Sequence, residues 1–152
     1  MNKSKKEGFT LIEMLVVIAM IGLLSAVVLV ALGPSRNKAK DTRIISDVNQ
    51  ARSYMEATYD PTAGGYPDYT ASFSASSSLA SLSLDVTNQN GDTAGKNSGG
   101  LYLNEAKSGS VYSAYAFYAK LASDDTKAYC VDSAGNSGTV TASSIGTAAV
   151  CP

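Results

Sequence analysis

Histidine and tryptophan are absent from these 152 residues, and cysteine occurs only as Cys130 and Cys151. Without histidine the common catalytic triads and the usual general base are gone. Ser–Lys and paired-carboxylate chemistry stay formally open, but the chain shows no paired-carboxylate pattern and no phosphate-binding loop. It is not read as an enzyme. Charge of one sign is lacking as well: 12 basic residues stand against 13 acidic ones, a net of −1. That balance does not suggest a nucleic-acid binder. Two cysteines beside a membrane-targeting segment read as one disulfide made in an oxidising compartment. Two unconnected thiols are the rival reading. Half of a metal site is a weaker one, because no histidine or third cysteine completes it.

What the chain does have is one long apolar run. Phe9–Leu32 is 24 residues with a single charge, Glu13, and only Thr10, Ser25 and the small Gly22 as other interruptions. At about 1.5 Å per residue it is long enough to cross a hydrocarbon core of about 30 Å. A secretory signal peptide would end its apolar stretch sooner and carry a small-residue cleavage site beyond it. Here Gly33-Pro34 and basic residues follow instead, and the informative junction lies on the other side, after the short basic segment Met1–Gly8. Glu13 calls for a function, since a carboxylate in a membrane helix is costly and needs a partner. A shallow interfacial position, favoured by the positive end of the helix dipole, is the plainer alternative.

Past Pro34 the pattern becomes amphipathic. Ile44, Ile45, Val48, Ala51, Met55 and Tyr59 recur at three- and four-residue spacing, with Asp41, Asp47, Arg52 and Glu56 on other faces. The spacing predicts a helix from Ser35 to about Tyr59 that continues the first, kinked at Gly33-Pro34 and stopped by Asp60-Pro61 and the glycines after it. Thr70–Leu84 is Ser/Ala-biased with a weak helical hint at Leu79, Leu82 and Leu84, and Asp85–Gly100 reads as a surface loop that buries nothing. Strands are expected at Leu101–Leu103, Ser110–Leu121 and Ala128–Val131. The last should pair with Thr139–Ala142 across the turn Asp132–Asn136. The nine tyrosines are read as strand and core residues. The fold class is α+β: a long N-terminal helix whose second half packs on a small antiparallel sheet. Its parts are a short basic segment 1–8 (a leader peptide on the resemblance given below), a membrane-spanning helix 9–32, an amphipathic continuation 33–60 and a head 61–152, with a Ser/Gly-rich loop 70–100 before the sheet region 101–152. So small and polar a head has limited apolar surface to bury, and a covalent staple would help it.

The junction Lys5-Lys6-Glu7-Gly8-Phe9-Thr10-Leu11-Ile12-Glu13 resembles the signal of type IV pilins and of type II secretion pseudopilins. The resemblance implies a type IV pilin-like fold and a cut by prepilin peptidase between Gly8 and Phe9. Phe9 then becomes the N-methylated terminus. It also implies a filament of identical subunits built through the N-terminal helix, from an inner-membrane assembly platform. Glu13 matches the family's acidic residue, whose favoured role is a contact with the terminal amine of a neighbouring subunit during assembly. Gly22 matches a glycine where the helix loosens in assembled pili, and Gly33-Pro34 stands about four residues later than the proline of many pilins. Thr58-Tyr59-Asp60 with Gly65-Tyr66-Pro67 is similar to a family helix exit, and Ala128–Ser133 to the head strands of small pilins. The Cys130–Cys151 pair resembles the family's C-terminal disulfide loop. By resemblance to pseudopilins, Asp124, Asp125 and Asp132 are candidate calcium ligands, with solvated turn carboxylates the simpler reading.

With Lys3, Lys5, Lys6 and Glu7 removed, nine basic and 12 acidic residues remain, a net of −3. Three lysines precede the apolar run, while Arg36, Lys38, Lys40 and Arg43 follow it, so the positive-inside rule gives no support to a cytoplasmic N-terminus. That orientation is taken from the resemblance: a single-pass inner-membrane precursor with its head outside, then a cell-surface filament. The four basic residues are read as a solvated helix face rather than a contact for DNA or lipid headgroups. A pseudopilin of a secretion or DNA-uptake machine is the alternative function. A single-pass anchored binding or enzymatic domain that never polymerises is a third.

Overall fold

A computed structural model describes residues 8–67, 77–95, 100–108, 111–146 and 148–152. Helix α1 (Leu11–Ala57) is followed by α2 (Ser78–Asn90) and four strands, β1 (Leu101–Ser108), β2 (Val111–Lys120), β3 (Lys127–Asp132) and β4 (Ser137–Thr141). The chain divides into two compact units at Arg36/Asn37. This is the α+β layout that the sequence leads one to expect.

In the first unit every described residue is exposed. Leu11, Ile18, Leu23, Val30 and their neighbours present apolar side chains on all sides, Val30 at 81% exposure. A helix apolar all round has no polar face to offer water. Gly33 and Pro34 lie inside α1. Pro34 has no N–H for the carbonyl one turn back, so the helix forgoes one internal bond there.

In the second unit, residues 37–57 of α1 carry the stripe Ile44, Val48, Ala51 and Met55, all essentially without solvent contact. Spacings of four, three and four keep them on one face. Asp47 is buried beside that stripe, at 5% exposure, not on an outer face as its pattern suggested. The helix ends at Ala57, where the Thr58 N–H donates to the Met55 carbonyl at 3.0 Å, and Asp60 then organises the turn by accepting from Thr62 N at 2.7 Å.

The expected loop over Asp85–Gly100 is corrected: α2 runs to Asn90. Ser77 caps its start by accepting from Ala80 N at 3.1 Å, and Gly91 ends it with φ 76°. Leu79, Ser83 and Val86 form its buried face, so the segment does bury side chains. Gly100 is buried against α2, where its N–H donates to Thr87 Oγ1 at 2.6 Å. A Cβ at Gly100 would lie 2.8 Å from Val86 Cγ1 and 2.9 Å from Thr87 N, so glycine is what permits this close approach. Residues 96–99, and 70–76 of the Ser-rich stretch, lie outside the described residues.

The sheet is an antiparallel meander in the order β1-β2-β3-β4. Phe117 in β2 stands opposite Leu103 in β1 and Val131 in β3. Strand β1 is longer than its expected span, and β3–β4 is the hairpin expected across Asp132–Asn136. Tyr115, Phe117, Ala119, Leu101, Leu103 and Val131 join the helix stripes in the main core. The opposite face carries Ala116, Tyr118 and Cys130, packed with Tyr102, Val140, Ile145 and Cys151. The C-terminal tail therefore covers the second face of the sheet, which explains why five successive β2 residues, Tyr115–Ala119, are buried instead of alternating.

Candidate functional site: the start of the apolar helix

The first turn of α1 is built by Thr10 and Glu13. The Thr10 hydroxyl accepts from the Glu13 N–H at 3.3 Å, while Glu13 Oε2 accepts from the Thr10 N–H at 2.8 Å and from its hydroxyl at 2.7 Å. This is a capping box, T-x-x-E: two helix-start donors satisfied reciprocally. Sequence reading assigned Thr10 no role beyond interrupting the run. The signal was visible, since Thr-Leu-Ile-Glu opening an apolar run is the pattern that the box requires.

Before the box stand Gly8 and Phe9, both exposed, with Phe9 at 81%. A Cβ at Gly8 would meet nothing within 4 Å, and the same holds at Gly22 and Gly33. Nothing within the described chain therefore requires glycine at these three positions. Lys3, Lys5 and Lys6 lie outside the described residues. Beyond the box the helix is long and apolar enough to cross a membrane, with a mean hydropathy of 3.1 and none of that window buried.

Elsewhere in the chain, in the head, Cys130 and Cys151 are bonded, with their Cα atoms 5.9 Å apart. Closing a loop of this size contributes about 3 kcal/mol in the chain-entropy account. The tail that carries Cys151 is held by two further devices. Asp132, fully buried, accepts from Cys151 N at 2.9 Å, Ala134 N at 3.0 Å, Asn136 N at 2.8 Å and Asn136 Nδ2 at 2.9 Å. The Tyr118 hydroxyl donates to the Val150 carbonyl at 2.9 Å. Burial pulls the Asp132 pKa up, but the hydrogen bonds from Asn136, Cys151 and Ala134 outweigh it and hold the carboxyl below its ordinary value.

Asp124 spends its oxygens inside its own turn, on Thr126 N at 3.1 Å, Thr126 Oγ1 at 2.6 Å and Lys127 Nζ at 3.2 Å. Among the described residues, no three His, Cys, Asp or Glu side chains gather as a metal cluster. Asp41 fixes the β2–β3 loop to α1 by accepting from Ala122 N at 2.7 Å and Ser123 N at 3.1 Å, and it also takes the Ser123 hydroxyl. Tyr115 and Tyr66 both donate to Glu56, the former at 2.6 Å, and burial raises the Tyr115 pKa. The tyrosines at 66, 115 and 118 are thus core residues with tethered hydroxyls.

Residues 3–29 match the model of the prokaryotic N-terminal methylation motif. The N-terminal segment carries a motif of that kind. The type IV wide pilus major component PilA4 of Thermus thermophilus is 44% identical over 50 residues, which is 33% of this chain and 38% of that protein. The match thus spans well under half of the pilin's length. No solved structure matches the chain. Together the N-terminal motif, the apolar helix, the α+β head and the Cys130–Cys151 disulfide make up a pilin-like layout.

Proposed function

We propose that this chain is the structural subunit of a type IV pilus-like filament, processed by prepilin peptidase between Gly8 and Phe9 and N-methylated on Phe9. Before assembly, Phe9–Leu32 anchors the precursor in the inner membrane, with the head on the outer side. After assembly the same helix packs among its copies in the filament core, so that neighbouring helices replace lipid around it. One observation carries the reading: a helix apolar on every side, opened by a Thr10–Glu13 box directly after an exposed Gly8-Phe9. Gly8 is open to solvent and has no steric duty of its own, which suits a position read by an external enzyme. Gly22 lacks a side chain where the helix is exposed, which suits close approach by a neighbouring helix.

The proposed contacts join one subunit to the next without closing, and repetition gives a helical fibre. The head supplies no catalytic group in this reading. A relative named as the major component of a wide pilus favours a pilin over a pseudopilin. Intact mass and N-terminal sequencing of filaments sheared from cells test the proposal. A methylated Phe9 start is the expected result, whereas an intact leader confined to the membrane fraction would overturn it.

A further inference from the structure

Among the described residues of the head, Asp47 is a buried ionisable group that filament building does not use. Asp47, on the core side of α1, keeps 5% of its surface exposed, and its Oδ2 has no hydrogen-bond partner. Across from it on α2 is Asp85. Asp85 Oδ2 accepts from Arg43 Nε at 2.7 Å, and its Oδ1 meets Gln89 Nε2 at 3.4 Å. Arg43 lies one turn before Asp47 on α1. Two carboxylates facing each other have no hydrogen to share, so a buried oxygen is left unsatisfied. A single proton between them removes that deficit.

We propose that Asp47, Asp85 and Arg43 form a proton-gated clasp that fastens α2 to residues 37–57 of α1 and loosens when Asp47 ionises. The charged groups acting on Asp47 are Arg43 from its own helix and Asp85 from α2; among the described residues, no sheet charge acts on it. Burial first, and then the hydrogen bond and charge of Asp85, push Asp47 up to about 6 against a smaller pull from Arg43. Asp85 is held below its ordinary value, chiefly by the Arg43 hydrogen bond. The proton therefore resides on Asp47, and Asp85 keeps its charge for Arg43.

The sign follows. A folded-state carboxyl pKa raised above its unfolded value binds protons that the unfolded chain does not, so its contribution is present at low pH. It declines as pH rises between about 4 and 6 and is gone above that window. The opposite contribution from Asp85 is lost only below the ordinary carboxylate range. What loosens is α2, which carries Leu79 and Val86 into the core.

Amide hydrogen exchange on the full-length chain in detergent micelles, corrected for the intrinsic pH dependence of exchange, tests the clasp. The amides of 78–90 should be protected about tenfold more at pH 5 than at pH 7.5, with β2 amides unchanged. Asp47→Asn, which can donate to Asp85 at either pH, should abolish that difference and stay protected throughout. Equal wild-type protection at the two pH values, or an undiminished difference in Asp47→Asn, overturns the proposal. Should the variant fail to fold, the carboxyl ¹³C titration of the wild-type chain decides. An Asp47 midpoint near 6 supports the clasp, and one near 4 refutes it.

Discussion

At Asp132 one carboxylate collects donors from the β3–β4 turn and from the tail, and the charge is stabilised by the bonds that fix the geometry. Asp132→Ala would remove the buried acceptor that Asn136 N, Ala134 N and the half-buried Cys151 N share. A hydrogen bond to a charged group contributes about 1.5–3 kcal/mol, and water can replace part of the loss at the exposed Ala134 and Asn136, so head stability should fall by about 2 kcal/mol in denaturant titration. The acid side follows from the depressed pKa. Its contribution is complete above the unfolded carboxylate value and is lost as pH falls through the lower folded one. Acidification below about pH 4 should therefore weaken the turn and tail together, read as faster exchange at Asn136 and Cys151 amides. Gly100 is a second residue-scale test. Gly100→Ala drives a methyl toward Val86 and the Thr87 backbone, and overpacking of this kind costs about 1–3 kcal/mol, measurable as a lower unfolding midpoint.

At the scale of elements, α2 is where reading and structure parted. Leu79, Leu82 and Leu84 gave only a hint, because serines fill the positions between them and the Gly/Asn/Asp residues downstream look like loop. The deciding feature was Val86: with Leu79 and Ser83 it completes a stripe at spacings of four and three. A serine on the buried face hides such a stripe from any reading based on apolar residues alone. Ser83 is tolerated there because its hydroxyl accepts from Leu101 N at 3.3 Å. Val86→Ala should cost about 2 kcal/mol in equilibrium unfolding, while Leu84→Ala, on the 61%-exposed side, should stay within about 0.5 kcal/mol. Equal effects would mean that the helix register is wrong. The strands were legible because Val, Tyr and Phe alternate in β2, and the hairpin because Asp132–Asn136 is turn chemistry. The burial of both β2 faces was not legible, since it depends on a tail placed by Cys151, Asp132 and Tyr118 over a long sequence separation. The burial of Asp47 is hidden for a related reason: its neighbour Asp85 comes from α2, 38 residues further along the chain.

For the whole molecule, the first turn of α1 must serve the isolated chain and the proposed polymer alike. In the single chain Glu13 is already satisfied, since Thr10 supplies two donors to one of its oxygens. A carboxylate needed only for capping could be replaced by glutamine, whose side-chain carbonyl still accepts from the Thr10 N–H. A carboxylate needed for its charge could not, because a neighbour's terminal amine is cationic at neutral pH and gains little from a neutral amide. Two substitutions separate these demands. Thr10→Val removes the hydroxyl from the box and keeps the charge; Glu13→Gln keeps an acceptor and removes the charge. If assembly uses the charge, Glu13→Gln should accumulate in the membrane at wild-type levels and lose most sheared filament, while Thr10→Val retains most of its filament. Immunoblots of sheared and membrane fractions read both outcomes. Filament yield that falls equally in the two variants would assign Glu13 to the cap alone and leave the terminal amine without its proposed partner.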